Sequence, residues 1–239
     1  LAQFLLGRGF ALEAIGVLEV AAQQHPELAT TPRFLLLRGA AQLLAGRIVG
    51  AGGDFRQARA AGGGEVRLWA AAAQAAQGEA VAAAELALLP ASTAVIRSYP
   101  PDLRGPLAAW LAEAAIEGGR PDDGQQFIDI GRTTATSAEA RARLSYLEGR
   151  RDEKAGDIEG ALTAYEGAAK LDPRRGRAQS ELARTLLQLR LERISAAEAA
   201  ATLDGLRHAW RGDAVEFQIL RELGRLQLET GDYPAGLRT

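Results

Sequence analysis

Between Ala142 and Arg175 small residues, one aromatic and one proline recur at spacings that only paired helices accommodate. Counting Ala142 as the first position of a 34-residue frame, Gly149, Gly156, Ala161, Tyr165, Ala168 and Pro173 occupy positions 8, 15, 20, 24, 27 and 32. A frame begun at Pro32 places Gly39, Gly46, Ala51, Phe55 and Ala58 at positions 8, 15, 20, 24 and 27. Glycine at the middle position suits a turn between antiparallel helices, because that turn needs positive φ. Small residues on either side let the helices approach, an aromatic fills the remaining gap, and proline stops the second helix.

The turn glycine recurs at Gly9, Gly46, Gly78, Gly119, Gly156 and Gly231, and five residues on stand Ala14, Ala51, Ala83, Gly124, Ala161 and Gly236. Between Gly156 and Gly231 one longer unit lacks it. There Ala178 to Arg190 reads as a first helix and Ala196 to His208 as a second, announced by the capping box Ser195 and Glu198. Hydrophobic residues make up 47% of the chain but aromatics only 5%. The core must therefore be built mainly from closely packed Ala and Leu. No useful stretch alternates with period two, so a sheet is not expected.

The spacing resembles the tetratricopeptide repeat (TPR), a helix-turn-helix unit of that period, although the tyrosine usual at position 11 is Asp152 here. The resemblance implies an all-α chain, an α-α superhelix of six to seven units running as one solenoid over residues 1–239. Both ends look cut, and the chain holds no methionine, so a piece of a longer polypeptide that self-associates or joins a larger complex is expected. Pro90, Pro100, Pro101 and Pro106 predict an irregular inter-repeat loop over 90–106, either packed on the surface or reserved for a partner. In His208-Ala-Trp-Arg-Gly-Asp213, Gly212 can end one helix and Asp213 can cap the next, with Glu216 completing a capping box.

The family resemblance implies a binding scaffold without enzymatic activity, cofactor or metal. In the family the first helix of each unit lines a concave groove, with positions 2, 5, 9, 12 and 13 pointing into it. Carried over, these are Arg143, Tyr146, Arg150, Glu153 and Lys154 in the unit begun at Ala142. Continuing the frame gives Arg177, Ser180 and Arg184, then Arg221 and Arg225. Nearer the N-terminus the matching positions are Leu36, Ala40, Leu43, Leu68 and Ala72, so an apolar groove passes into an arginine-rich one. Arg143, Tyr146, Arg150, Arg177, Arg184, Arg221 and Arg225 are the candidate partner-binding residues, suited to an acidic protein or peptide segment. A solvated face salt-bridged to its own acidic neighbours is the plainer alternative.

Other chemistry has little support. The two histidines, His25 and His208, lie at helix ends outside any catalytic or metal-ligand spacing. Gly62-Gly-Gly64 lacks the preceding strand and following lysine of a phosphate-binding loop. With net charge −2 and no basic stripe interleaved with aromatics, nucleic acid is not expected as a partner. No apolar run is long enough to enter a membrane. The chain has no cysteine, no asparagine and only two lysines among its 28 cations, a usage that suggests a GC-rich bacterial source. The absence of asparagine also removes the lysine-asparagine clamp by which chaperone-binding members of the family hold a terminal carboxylate. The spacing from Leu206 through Trp210-Arg-Gly-Asp213 to Leu223-Gly224 and Gly231-Asp232-Tyr233 resembles that of large α-proteobacterial repeat proteins exported to the periplasm. The expectation is thus a scaffold in a bacterial, envelope-associated assembly, periplasmic rather than cytoplasmic. The rival is a regulatory or targeting solenoid of a larger protein whose catalytic domain lies outside this segment.

Overall fold

Each recurring glycine marks a joint between helices. In the computed structural model, which describes residues 1–59, 62–172, 174–212 and 214–239, the described residues form helices and turns with no strand. The helices pack into two compact units, Leu1–Ala135 and Thr136–Thr239. The all-α class holds throughout.

Gly9, Gly46, Gly78, Gly119, Gly156 and Gly231 all have positive φ, between 72° and 86°. At each joint the N–H after the glycine bonds back to the carbonyl five residues earlier, as in Arg47 to Gln42 at 2.8 Å and Asp157 to Asp152 at 2.9 Å. This is the Schellman closure, which satisfies carbonyls that a helix end leaves without partners. The longer unit without a turn glycine makes the same joint with Glu192 at φ 55°, and Arg193 bonds back to Gln188 at 2.9 Å. A side chain in this left-handed region costs about 1 kcal/mol, so the bond is retained against local strain.

The first unit contains α1 (Ala2–Gly7), α2 (Ala11–Gln24), α3 (Pro32–Leu44), α4 (Ile48–Ala58), α5 (Gly64–Gln77), the short α6 (Ala83–Leu86) and α7 (Thr93–Ser98), α8 (Pro101–Glu117) and α9 (Pro121–Arg132). Thr31 caps α3 by accepting from the Phe34 N–H at 3.4 Å, and Pro32 follows as its first residue. Gly39 lets α4 close in, since a Cβ there would stand 2.7 Å from the Phe55 ring. The α3–α4 pair is further fixed by a nearly buried Asp54, which accepts from Arg38 Nε at 2.9 Å and Nη2 at 2.6 Å.

The predicted loop over 90–106 is a correction. Pro90–Ser92 is a 3-10 turn, Thr93–Ser98 is α7, and Pro101 opens the long α8 with Pro106 inside it. Pro100 is extended and Pro101 takes the first helical position, where a missing N–H loses nothing, so this pair starts a helix rather than forbidding one. Pro106 removes one intrahelical bond and the helix continues past it. Ala83, expected at a close approach, is exposed because the second helix of its pair is reduced to four residues. With only the short α6 and α7 between them, α5 and α8 pack directly on one another, and both helices are rich in buried alanines such as Ala71, Ala72, Ala108 and Ala112.

The second unit contains α10 (Ala138–Ala155), α11 (Ile158–Leu171), α12 (Arg175–Arg190), α13 (Ala196–Leu206), α14 (Ala214–Glu229) and the short α15 (Tyr233–Gly236). Ser137 and Asp157 cap α10 and α11 by accepting from Ala140 N–H and Gly160 N–H, each at 3.0 Å. Ser195 and Glu198 form the expected capping box at the start of α13. Gly149 repeats the Gly39 arrangement, with a Cβ there 2.5 Å from the Tyr165 ring, and Ala161, Tyr165 and Ala168 are fully buried. Pro173 and Asp213, expected to end one helix and cap another, lie outside the described residues. Gly212 donates its N–H to Glu216 Oε2 at 2.7 Å.

Candidate binding surfaces

In the second unit the first helices α10, α12 and α14 follow one another, α12 packing on both neighbours. They carry all seven candidate residues, in three groups. Arg143, Tyr146 and Arg150 are half-buried on α10. Tyr146 is not a free platform, because its ring packs on Tyr165 with centroids 5.7 Å apart. On α12, Arg177 is exposed, while Arg184 reaches Glu181 one turn back on its own helix at 2.6 Å. On α14, Arg221 and Arg225 both bind Glu222, at 3.0 Å each, and Arg225 also reaches Glu229 at 2.6 Å. Pairs of this local, exposed kind contribute little to stability.

Of the seven, Arg150 lines a cleft at the end of α10. The cleft, of about 600 Å³, has Arg150, Glu153 and Lys154 from the end of α10 on one side and Arg190 from the end of α12 on the other. Its floor is apolar, with Ile158, Leu186 and Leu187. Glu153 is the hub. It accepts from the Tyr165 hydroxyl at 2.6 Å and from Arg190 at 2.5 Å. Burial pushes its carboxyl upward, but the bonds from Tyr165 and Arg190 and the nearby Arg150 charge outweigh this and hold it below the ordinary glutamate range. Burial, then the bond to Glu153, keeps the Tyr165 phenol protonated well above its ordinary range. Arg150, Lys154 and Arg190 line the cleft together with this one carboxylate. Arg190 escaped the sequence reading because it sits at the turn position of its unit, outside the groove offsets.

The first unit arranges its first helices differently. Here α3 packs on α1 and α5, α5 packs on α8, and α8 returns to α1, so the four close a circuit. The return contact is close: a Cβ at Gly7 would stand 3.4 Å from Pro100, and one at Gly9 3.5 Å from Asp102. Within the circuit lies a cup of about 670 Å³, to which Phe4, Leu36, Leu37 and Ala40 contribute apolar wall. Leu36 and Ala40 were expected on an apolar groove. Leu43, Leu68 and Ala72 were as well, but all three are buried in the core, since α5 is packed by α3, α4 and α8 together.

One polar chain crosses the wall of the cup. The buried Trp69 indole N–H donates to the Tyr99 hydroxyl at 3.1 Å, and that hydroxyl donates to Glu65. Trp69 is held between Phe55, stacked at 6.5 Å, and Tyr99, edge-on at 5.9 Å. Burial and then the bond to Glu65 raise the Tyr99 phenol well above its ordinary range, so it remains a donor. Glu65 and Trp69 were missed in the sequence because they belong to the pair whose second helix is broken up, whereas Tyr99 lies in the stretch 90–106 that was weighed as a partner loop.

Among the described residues no group of three His, Cys, Asp or Glu is placed to hold a metal ion, and no helix is long and apolar enough to cross a membrane. No family model matches the sequence, and no curated protein matches it either. The structure is similar to that of a tetratricopeptide repeat protein from Parabacteroides merdae, with a TM-score of 0.54 and 12% identity over 98% of this chain and 86% of that one. At that identity the likeness is one of fold, and it shows the chain to have a TPR-like, all-α architecture of paired helices.

Proposed function

We propose that this chain is a non-enzymatic scaffold that binds protein segments, and that the cleft of the second unit takes an acidic one. The observation that carries the reading is the set Arg150, Lys154 and Arg190 around a single, already bonded Glu153, above an apolar floor. Arginine and lysine at the edge of a partly apolar cleft bind carboxylates through charge-assisted bonds, each of which contributes about 1.5–3 kcal/mol when desolvated. The TPR-like fold supports the same reading, because paired helices in sequence present broad surfaces to extended segments. An arginine-biased, lysine-poor composition supports a bacterial setting, and the resemblance of the C-terminal third to exported repeat proteins supports an envelope-associated assembly in the periplasm, with the cytoplasm as the alternative compartment.

A peptide array graded in net charge tests this directly. Binding should rise with acidic content and weaken as salt is raised. Changing Arg150 and Lys154 together to Glu should remove the preference while leaving the helical circular dichroism unchanged. Array binding that is indifferent to peptide charge would leave these cations a solvated face.

A further inference from the structure

We propose that the cup of the first unit is a second binding site with the opposite preference, taking a short apolar peptide segment that bears one lysine or arginine, with the cation on Glu65. The wall supplies the apolar part of this recognition. Pockets of this size bind through apolar lining and a few fixed polar groups, and here the lining comes from four helices closed into a circuit.

The fixed polar group is Glu65. Its carboxylate accepts from the Tyr99 hydroxyl, which in turn accepts from the buried Trp69 indole at 3.1 Å. Such a chain holds the acceptor in one orientation before any ligand arrives. Charge at the cup favours a cation, since Glu65 and Asp102 stand against Arg8 alone. The ligand is a segment of chain rather than a small amine, because apolar surface continues onto the rim. Phe4 is 65% exposed there, and Pro100 and Pro101 are exposed beside it. A peptide covers the cup and the rim together, with flanking apolar residues on Phe4 and the prolines.

Fluorescence anisotropy of the whole chain with labelled acetyl-Leu-Lys-Leu-Leu-amide, and with its glutamine and glutamate counterparts, tests the site. The lysine peptide should bind about ten-fold more tightly than the glutamine one, the difference made by one charge-assisted bond. Glu65→Gln should erase that preference and leave the glutamine peptide unaffected. Tyr99→Phe should reduce it in part, because Glu65 loses its fixed orientation. If Glu65→Gln unfolds the unit, the exposed Asp102→Asn is the second variant, and it should weaken only the lysine peptide. Equal binding of the three peptides, or an undiminished preference in both carboxylate variants, overturns the proposal. So does n-octylamine binding as tightly as the peptide, or a dimer that Glu65→Gln dissociates, which would make a second copy the occupant. The Arg150 and Lys154 reversal should change none of these affinities, so failure here and failure in the second unit are separately visible.

Discussion

The two units use the same joint and reach different inner surfaces. In the first, α1, α3, α5 and α8 close on themselves around a cup; in the second, α10, α12 and α14 stand in file with a cleft between neighbours. The cause lies in one broken pair. Where α6 has shrunk to four residues, α5 and α8 pack on one another, and α8 comes round to Gly7 and Gly9. In the second unit the second helices α11 and α13 are 14 and 11 residues long, and successive first helices meet there less extensively than α5 meets α8. The two units thus differ in the length of one second helix, while the joints between helices stay the same.

The largest effect should come from the residue on which the closed circuit depends. Trp69→Ala removes a side chain that is 2% exposed and touches both Phe55 and Tyr99, and should cost about 3–5 kcal/mol. Hydrogen exchange should show lost protection in α5 and α8; intact protection there would mean that the circuit does not rest on this ring. In the second unit, Ala161→Leu forces three carbons into the α10–α11 contact and should cost about 1–3 kcal/mol by denaturant melting. A variant as stable as the parent would show that those helices have slack which the geometry denies.

A smaller effect distinguishes the cleft by its acid response. Because Glu153 is held below the ordinary glutamate range in the fold, it adds stability above that range. This contribution is lost as pH falls from the unfolded value through the lowered folded one. Glu153→Gln should therefore flatten the acid side of the stability profile, and an unchanged slope would argue against the Tyr165–Glu153–Arg190 cluster. Smallest is Glu192→Gly, which relieves the one left-handed side chain among the described residues and should raise stability by up to about 1 kcal/mol. A loss of stability would mean that the Glu192 side chain contributes more than its backbone strain costs.

The joints were legible because only glycine adopts positive φ freely, so Gly46, Gly78 and Gly156 announce themselves without any knowledge of their neighbours. The close approaches were legible for a related reason, since Gly39 with Phe55 and Gly149 with Tyr165 keep one spacing in two pairs. Glu192 gave no such sign, because nothing about a glutamate marks a left-handed turn. The cup was hidden more deeply. A frame read along the chain describes contacts between successive helices, whereas the cup is closed by α1 against α8, a contact far apart in sequence. For the same reason Leu43, Leu68 and Ala72 were placed on a groove that other helices cover. Pro100 and Pro101 were read as breakers because proline ends helices and begins them, and which it does depends on the residues that follow. At the cleft, Arg150 was found by its offset, but Arg190 belongs to a geometry that offsets do not encode.

The closing bond at every joint runs from one main-chain N–H to one main-chain carbonyl, from Phe10 to Leu5 at one end of the chain to Asp232 to Gln227 at the other. Such a hinge pin is blind to which side chains ride on the rods it connects. The side chains between the pins can therefore change without unfastening any of them. Two chains can thus share paired-helix architecture while sharing only 12% of their residues.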